Sequence, residues 1–202
     1  LLRHTKMTDY IVIGSGSHAA LVIDTIEARD GCRVLALVED VSHVGAIRRR
    51  HVVAGRIDDI YGISERIGCN NLFIAVGDNK FREQTWLKLN HFGFDFPSLV
   101  HPLAFVASSA RLGVGVYVGP GVFVGSDSQV GCFGILSANS VLNHDSFLHN
   151  YAHLDVNSTV RGHAVIGERA LIGAGAIIME HVEVGPDCKI AAGALLSTNI
   201  KT

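Results

Sequence analysis

No apolar run in the sequence reaches 18 residues, so no membrane-spanning helix is expected. Nothing near the start reads as a signal peptide. Neither sign of charge prevails: Lys and Arg total 17, Asp and Glu 19, a formal net charge of −2. That balance offers no basic stripe for nucleic acid and no acidic tail. No Cys-x-x-Cys pair occurs. The four cysteines (Cys32, Cys69, Cys132 and Cys188) are scattered, which reads as reduced thiols in a cytoplasmic protein. Proline is scarce, with 4 residues, whereas 22 are glycine and 48% are apolar. The combination describes a densely packed chain with many tight backbone positions. The leader Leu1–Lys6 is set aside from the fold reasoning.

The second half is a repeat. From Val106 to Leu196 every sixth residue is Val, Leu or Ile, sixteen in succession without a slip. Small residues such as Ala110, Ser128, Ser140, Ala152 and Ala164 stand four places later, and glycine often follows the aliphatic position directly. A period of six fits neither a helix nor a hairpin array. It fits a parallel β-helix of three six-residue faces and eighteen residues per coil, stacking as a quasi-one-dimensional array. The aliphatic residue points into the prism, and glycine is expected to supply the backbone geometry of the corners.

The first half alternates strand and helix, as a small parallel sheet wound by helices does. Strands are expected at 10–13, 33–38, 71–76 and 96–100, with helices at 19–29, 58–67 and 80–91. The expected boundary is Pro102: an α/β domain over 8–101, then the β-helix over 102–202. Ligands of such sheets bind beyond the carboxyl ends of the strands. Three loops lie there: Gly14–His18, Glu39-Asp40 and Gly77–Asn79. The first is glycine-rich and opens a helix, so its N–H groups suit an anion. Gly14-x-Gly16-x-x-Ala19 with Glu39 passes the loose dinucleotide fingerprint. A domain this short, however, lacks room for two mononucleotide halves.

The repeat breaks its own rule between Ser137 and Arg161. Asn143, His149, Asp155 and Arg161 stand where glycine is usual, and His144, Asp145, His153 and His163 lie in the same region. Departures of this kind concentrate at functional sites. Acyl transfer needs a base for the attacking group, and imidazole beside a carboxylate supplies one. Asn143-His144-Asp145 sets these groups side by side, provided the corner turns there, because adjacent residues of a strand point apart. His153 follows His144 by half a coil, so the two share a site only between subunits. Asp145, His163 and His181, spaced by 18, should stack on successive coils. No ligand spacing is diagnostic of a metal, and none is expected.

Gly14-Ser15-Gly16-Ser17-His18, Ile74-Ala75-Val76-Gly77-Asp78-Asn79, His101-Pro102, Asn143-His144-Asp145 and the hexad repeat together resemble the bacterial hexapeptide-repeat sugar acetyltransferases. These act on UDP- or GDP-linked amino sugars, and sialic acid O-acetyltransferases are near relatives. The resemblance runs over residues 10–200 and implies a left-handed β-helix behind a Rossmann-like domain. It implies His144 as base with Asp145 orienting it. Gly16, Ser17, His18, Glu39, Asp40 and Gly77 would hold the sugar nucleotide. His153, Gly162, Gly173, Ala174 and Ala192 would contact acetyl-CoA, with active sites between the subunits of a homotrimer. The group usually ends its β-helix with Gly-x-Pro-Ala, where this sequence has Asn199-Ile200-Lys201-Thr202. The implied activity is N-acetylation of a nucleotide-linked amino sugar for surface glycans. Sugar O-acetylation and a non-catalytic nucleotide-binding protein are the competing readings.

Overall fold

A computed structural model describes residues 8–40 and 44–201. The leader set aside above lies outside them. The chain falls into two compact units, one running through residue 77 and over 84–97, the other made of 78–83 and 98–202. No helix among the described residues is long and apolar enough to cross a membrane.

The first unit centres on a five-stranded sheet. Its strands are β1 (Thr8–Ile13), β2 (Cys32–Glu39), β3 (Ile47–Arg48), β4 (His51–Arg56) and β5 (Leu72–Ile74), in the order β3-β4-β2-β1-β5. Helix α1 (Ser17–Glu27) buries Ala19, Val22, Ile23 and Ile26, one apolar stripe at helical spacing. Helix α2 (Ile60–Ile67) buries Ile60 and Ile63. β1, β2, β4 and β5 are parallel, but β3 pairs antiparallel with β4, so the sheet is mixed where a purely parallel one was expected. The cause is a two-residue hairpin turn in which Arg49 and Arg50 both take positive φ (46° and 67°). Gly and Asn normally fill such turns, and the sequence carries neither signal there.

The second unit is a three-sided parallel β-helix of two-residue strands. Face one runs from Phe105–Val106 through Phe123–Val124, Val141–Leu142, Thr159–Val160 and Ile177–Ile178 to Leu195–Leu196. Face two runs from Arg111–Leu112 to Glu183–Val184, and face three from Leu99–Val100 to Lys189–Ile190. From Phe105–Val106 onward the second residue of every pair is the predicted aliphatic one, and pairing joins residues eighteen places apart in register. Val124, Leu136, Leu142, Leu148, Leu154, Val160, Ile166, Ile172 and Ile178 are fully buried and form one continuous core. The expected fourth strand of the α/β sheet begins this stack instead: Leu99–Val100 pairs with Tyr117–Val118.

The corners turn differently from the expectation. The left-handed residue is the third after the aliphatic one: Gly115, Gly121, Gly175 and Gly193 fill four of these places, but Asp127, Phe133, Asn139, Asp145, Tyr151, Asn157, His163, Arg169, His181 and Asp187 fill ten. Glycine directly after the aliphatic residue serves close approach between coils. A Cβ at Gly125 would lie 2.6 Å from the His144 nitrogen, and one at Gly173 2.6 Å from the Ile190 oxygen.

The corner between faces two and three is sealed within this unit by residues 78–83, the start of helix α3 (Asn79–Leu89). Arg82, 1% exposed, donates to the carbonyls of Phe133 (3.1 Å) and Tyr151 (2.7 Å) and to Asn79 Oδ1 (2.8 Å). Burial pushes its guanidinium down to about 9, so it still carries its charge at neutral pH. Arg82→Ala is expected to cost roughly 2–4 kcal/mol, because buried carbonyls are left without donors. Denaturant unfolding measures this, and an unchanged midpoint would contradict it.

Candidate active site

Asn143, His144 and Asp145 form the corner between faces one and two on the middle coil. Asp145 has φ 55°, so the chain turns there and two consecutive side chains meet instead of pointing apart. Asp145 Oδ2 lies 2.9 Å from His144 Nδ1. A carboxylate only accepts, so Nδ1 carries the proton and the lone pair stays on Nε2, as a general base requires. The backbone is held as well. The His144 N–H donates to Asn143 Oδ1 (2.8 Å), and the Asp145 N–H donates to the Ser126 carbonyl (2.9 Å). The two side chains are 48% and 46% exposed, open enough for a substrate to reach.

Gly162 sits one coil on, against the His144 ring. A Cβ there would lie 2.5 Å from His144 Cε1 and 2.7 Å from Nε2. Gly162→Ala is therefore expected to displace the imidazole without disturbing the core. A shift of order 1 Å lowers turnover by about 10²-fold. Steady-state kinetics alongside a thermal melt check this. Full activity, or a loss matched by unfolding, would contradict it.

The structure divides the five acetyl-CoA candidates. Gly162 belongs to the His144 corner. His153 lies on face three, with its Nε2 3.0 Å from Ser137 Oγ. Gly173, Ala174 and Ala192 follow at the corner between faces three and one, where the Gly193 N–H donates to the Ala174 carbonyl. Within one chain, the corner carrying His144 is opposite face three, so His144 and His153 do not meet. The partner of His153 went unremarked in the sequence, yet Ser137 marks the start of the stretch where the glycine pattern fails.

In the first unit, Gly14–His18 follows β1, Glu39-Asp40 closes β2, and Gly77 follows β5. These strands are parallel neighbours in register (Ile13 with Val38 and Ile74), so the six sugar-nucleotide candidates share one edge of the sheet. Gly14 has φ 116° and donates to the Val38 carbonyl at 2.7 Å. A Cβ there would meet the Ala75 oxygen at 2.8 Å, so no other residue fits this loop. Gly16 is the N-cap of α1 and, like Ser17, is exposed. Glu39 is buried and Asp40 exposed.

The two halves of the chain match separate family models. A family model described as PglD N-terminal domain matches residues 9–89, and one described as bacterial transferase hexapeptide (six repeats) matches residues 163–198. A perosamine N-acetyltransferase variant from Caulobacter crescentus, solved with CoA and GDP-perosamine, is 32% identical with a TM-score of 0.91. The match covers 96% of this chain and 90% of that one. The acetyltransferase domain of PglB from Neisseria gonorrhoeae, solved with acetyl coenzyme A, is 26% identical with a TM-score of 0.88, covering 96% and 93%. UDP-N-acetylbacillosamine N-acetyltransferase from Bacillus subtilis is 28% identical over 114 residues, 55% of this chain; the match spans about half, 51%, of that curated relative. On a likeness of 32% identity over 96% of its length, this chain belongs to the hexapeptide-repeat sugar N-acetyltransferases, with a Rossmann-like domain ahead of a left-handed β-helix.

Proposed function

We propose that the chain transfers the acetyl group of acetyl-CoA to the amine of a UDP- or GDP-linked amino sugar, with His144 as general base. The observation that carries this reading is the Asp145–His144 pair, with its hydrogen bond at Nδ1 and a lone pair on Nε2. The neutral amine attacks the thioester carbonyl, His144 Nε2 takes the proton lost by nitrogen, the C–S bond breaks, and the same proton passes from the imidazolium to the departing sulfur, so CoA leaves as the thiol. Asp145 keeps the ring in its tautomer and stabilises the imidazolium. No covalent acyl-enzyme is required. The nucleotide is held at the sheet edge by Gly16, Ser17, His18, Glu39, Asp40 and Gly77, where the N–H groups opening α1 suit a phosphate.

A homotrimer completes the site. The outward residues of face one are Phe105, Phe123, Val141, Thr159, Ile177 and Leu195, with Phe105 56% and Leu195 66% exposed. An exposed apolar stripe of this kind marks an association surface. Three prisms with face one turned to a common axis set the His144 corner of each copy beside the His153, Gly173, Ala174 and Ala192 side of the next. That seam is where acetyl-CoA would lie. Both co-substrates are cytoplasmic compounds, and the four thiols are free, so the reaction is assigned to the cytoplasm.

The test is thiol release from acetyl-CoA with a panel of UDP- and GDP-linked amino sugars and free sialic acid, with products identified by mass. Acetylation of a nucleotide-linked amine supports the reading. Turnover confined to sialic acid, or none with any acceptor, overturns it.

A further inference from the structure

We propose that His144, Asp145 and His163 form a binding site for a borderline divalent metal ion of the zinc type, and that filling it switches acetyl transfer off. The switch-off rests on His144 being the base; the binding does not. One ligand atom from each residue lies within 4.8 Å of the others. Asp145 Oδ2 is 2.9 Å from His144 Nδ1 and 3.9 Å from His163 Nε2. Donor atoms about 2.0–2.1 Å from a tetrahedral zinc stand about 3.3 Å apart, inside that bracket.

The β-helix holds these groups in place. Asp145 and His163 are both left-handed corner residues eighteen apart, and the His163 N–H donates to the His144 carbonyl at 3.2 Å. The His163 ring meets His144 edge-on with centroids 5.3 Å apart, and it stacks flat on His181 at 4.9 Å. The stack fixes one side of the ring, leaving its Nε2 toward Asp145. All three side chains are about half exposed, so water can complete the coordination shell. Two imidazoles and one carboxylate suit zinc; magnesium and calcium prefer all-oxygen shells.

The ion would take the place of the proton between His144 and Asp145. With the metal on Nδ1, the ring's single proton moves to Nε2, the lone pair there is gone, and the amine finds no base. No proton is gained or lost overall.

Calorimetric titration of the substrate-free protein with zinc chloride, and the visible spectrum of the cobalt form, test the binding. His163→Asn is the variant of choice, since asparagine accepts the φ of 60° at this position. Asp145→Asn is the second variant, and a thermal melt verifies the fold of each. The expected result is one zinc per chain, affinity lower by on the order of tenfold or more in either variant, and no response to magnesium. Zinc should inhibit the wild type reversibly by chelator. His163→Asn should shift the inhibition midpoint upward by a similar factor, relative to its own zinc-free rate. Absence of zinc binding, or undiminished binding in folded His163→Asn, overturns the proposal. Zinc binding by a protein that acetylates nothing would keep the site and remove the base assignment; brisk transfer without zinc binding would do the reverse.

Discussion

His144→Ala is expected to lower kcat for acetyl transfer by roughly 10²–10⁴-fold, the range a positioned general base supplies. The thermal melt should stay near wild type, because the lost side chain is half exposed at a corner, outside the buried core row. Truncation removes the Nε2 lone pair of the imidazole whose Nδ1 is held by the Asp145 carboxylate. A variant retaining more than a tenth of wild-type turnover would show that the proton leaves by another route.

Leu142→Ala is expected to cost about 2–5 kcal/mol of stability, the range for emptying a fully buried leucine site. Leu142 stacks between Val124 and Val160, and all three are completely buried. Coils contact only their neighbours, so the chain has little means of collapsing around the gap. Leu142 is also two residues before His144, so the same cavity loosens the coil that carries the proposed base. Denaturant unfolding with parallel kinetics measures both effects. A loss under about 1 kcal/mol would argue that the stacked rows are not the source of stability.

The inward rows were legible because a β-helix writes its core into the sequence at fixed spacing. Sixteen predicted aliphatic residues occupy the second place of sixteen short strands. The corners were less legible. Glycine after the aliphatic residue suggested left-handed backbone, whereas its role is to let one coil approach the next. The left-handed places two residues later carry side chains as large as Phe133, Tyr151 and Arg169, which no propensity argument points to. The β3–β4 hairpin carries no turn signal in the sequence, because its turn is Arg49-Arg50. Arg82 could not be separated from a surface arginine, since its partners are backbone carbonyls 51 and 69 residues away. Of the site, the His144–Asp145 pair was readable as a break in the repeat. The half-coil offset of His153 was readable from the period. Gly162 is among the acetyl-CoA candidates, and a side chain at its place would meet the His144 ring. Only the triangular geometry separates these two corners.

The most direct test of the account is a structure of the protein with CoA and a nucleotide-linked amino sugar bound together. The account predicts the sugar amine within about 2.6–3.2 Å of His144 Nε2, directly or through one water, with the thiol of CoA reaching the same point along the His153 side of the neighbouring copy. An amine seated away from His144 while both ligands are in place would contradict it.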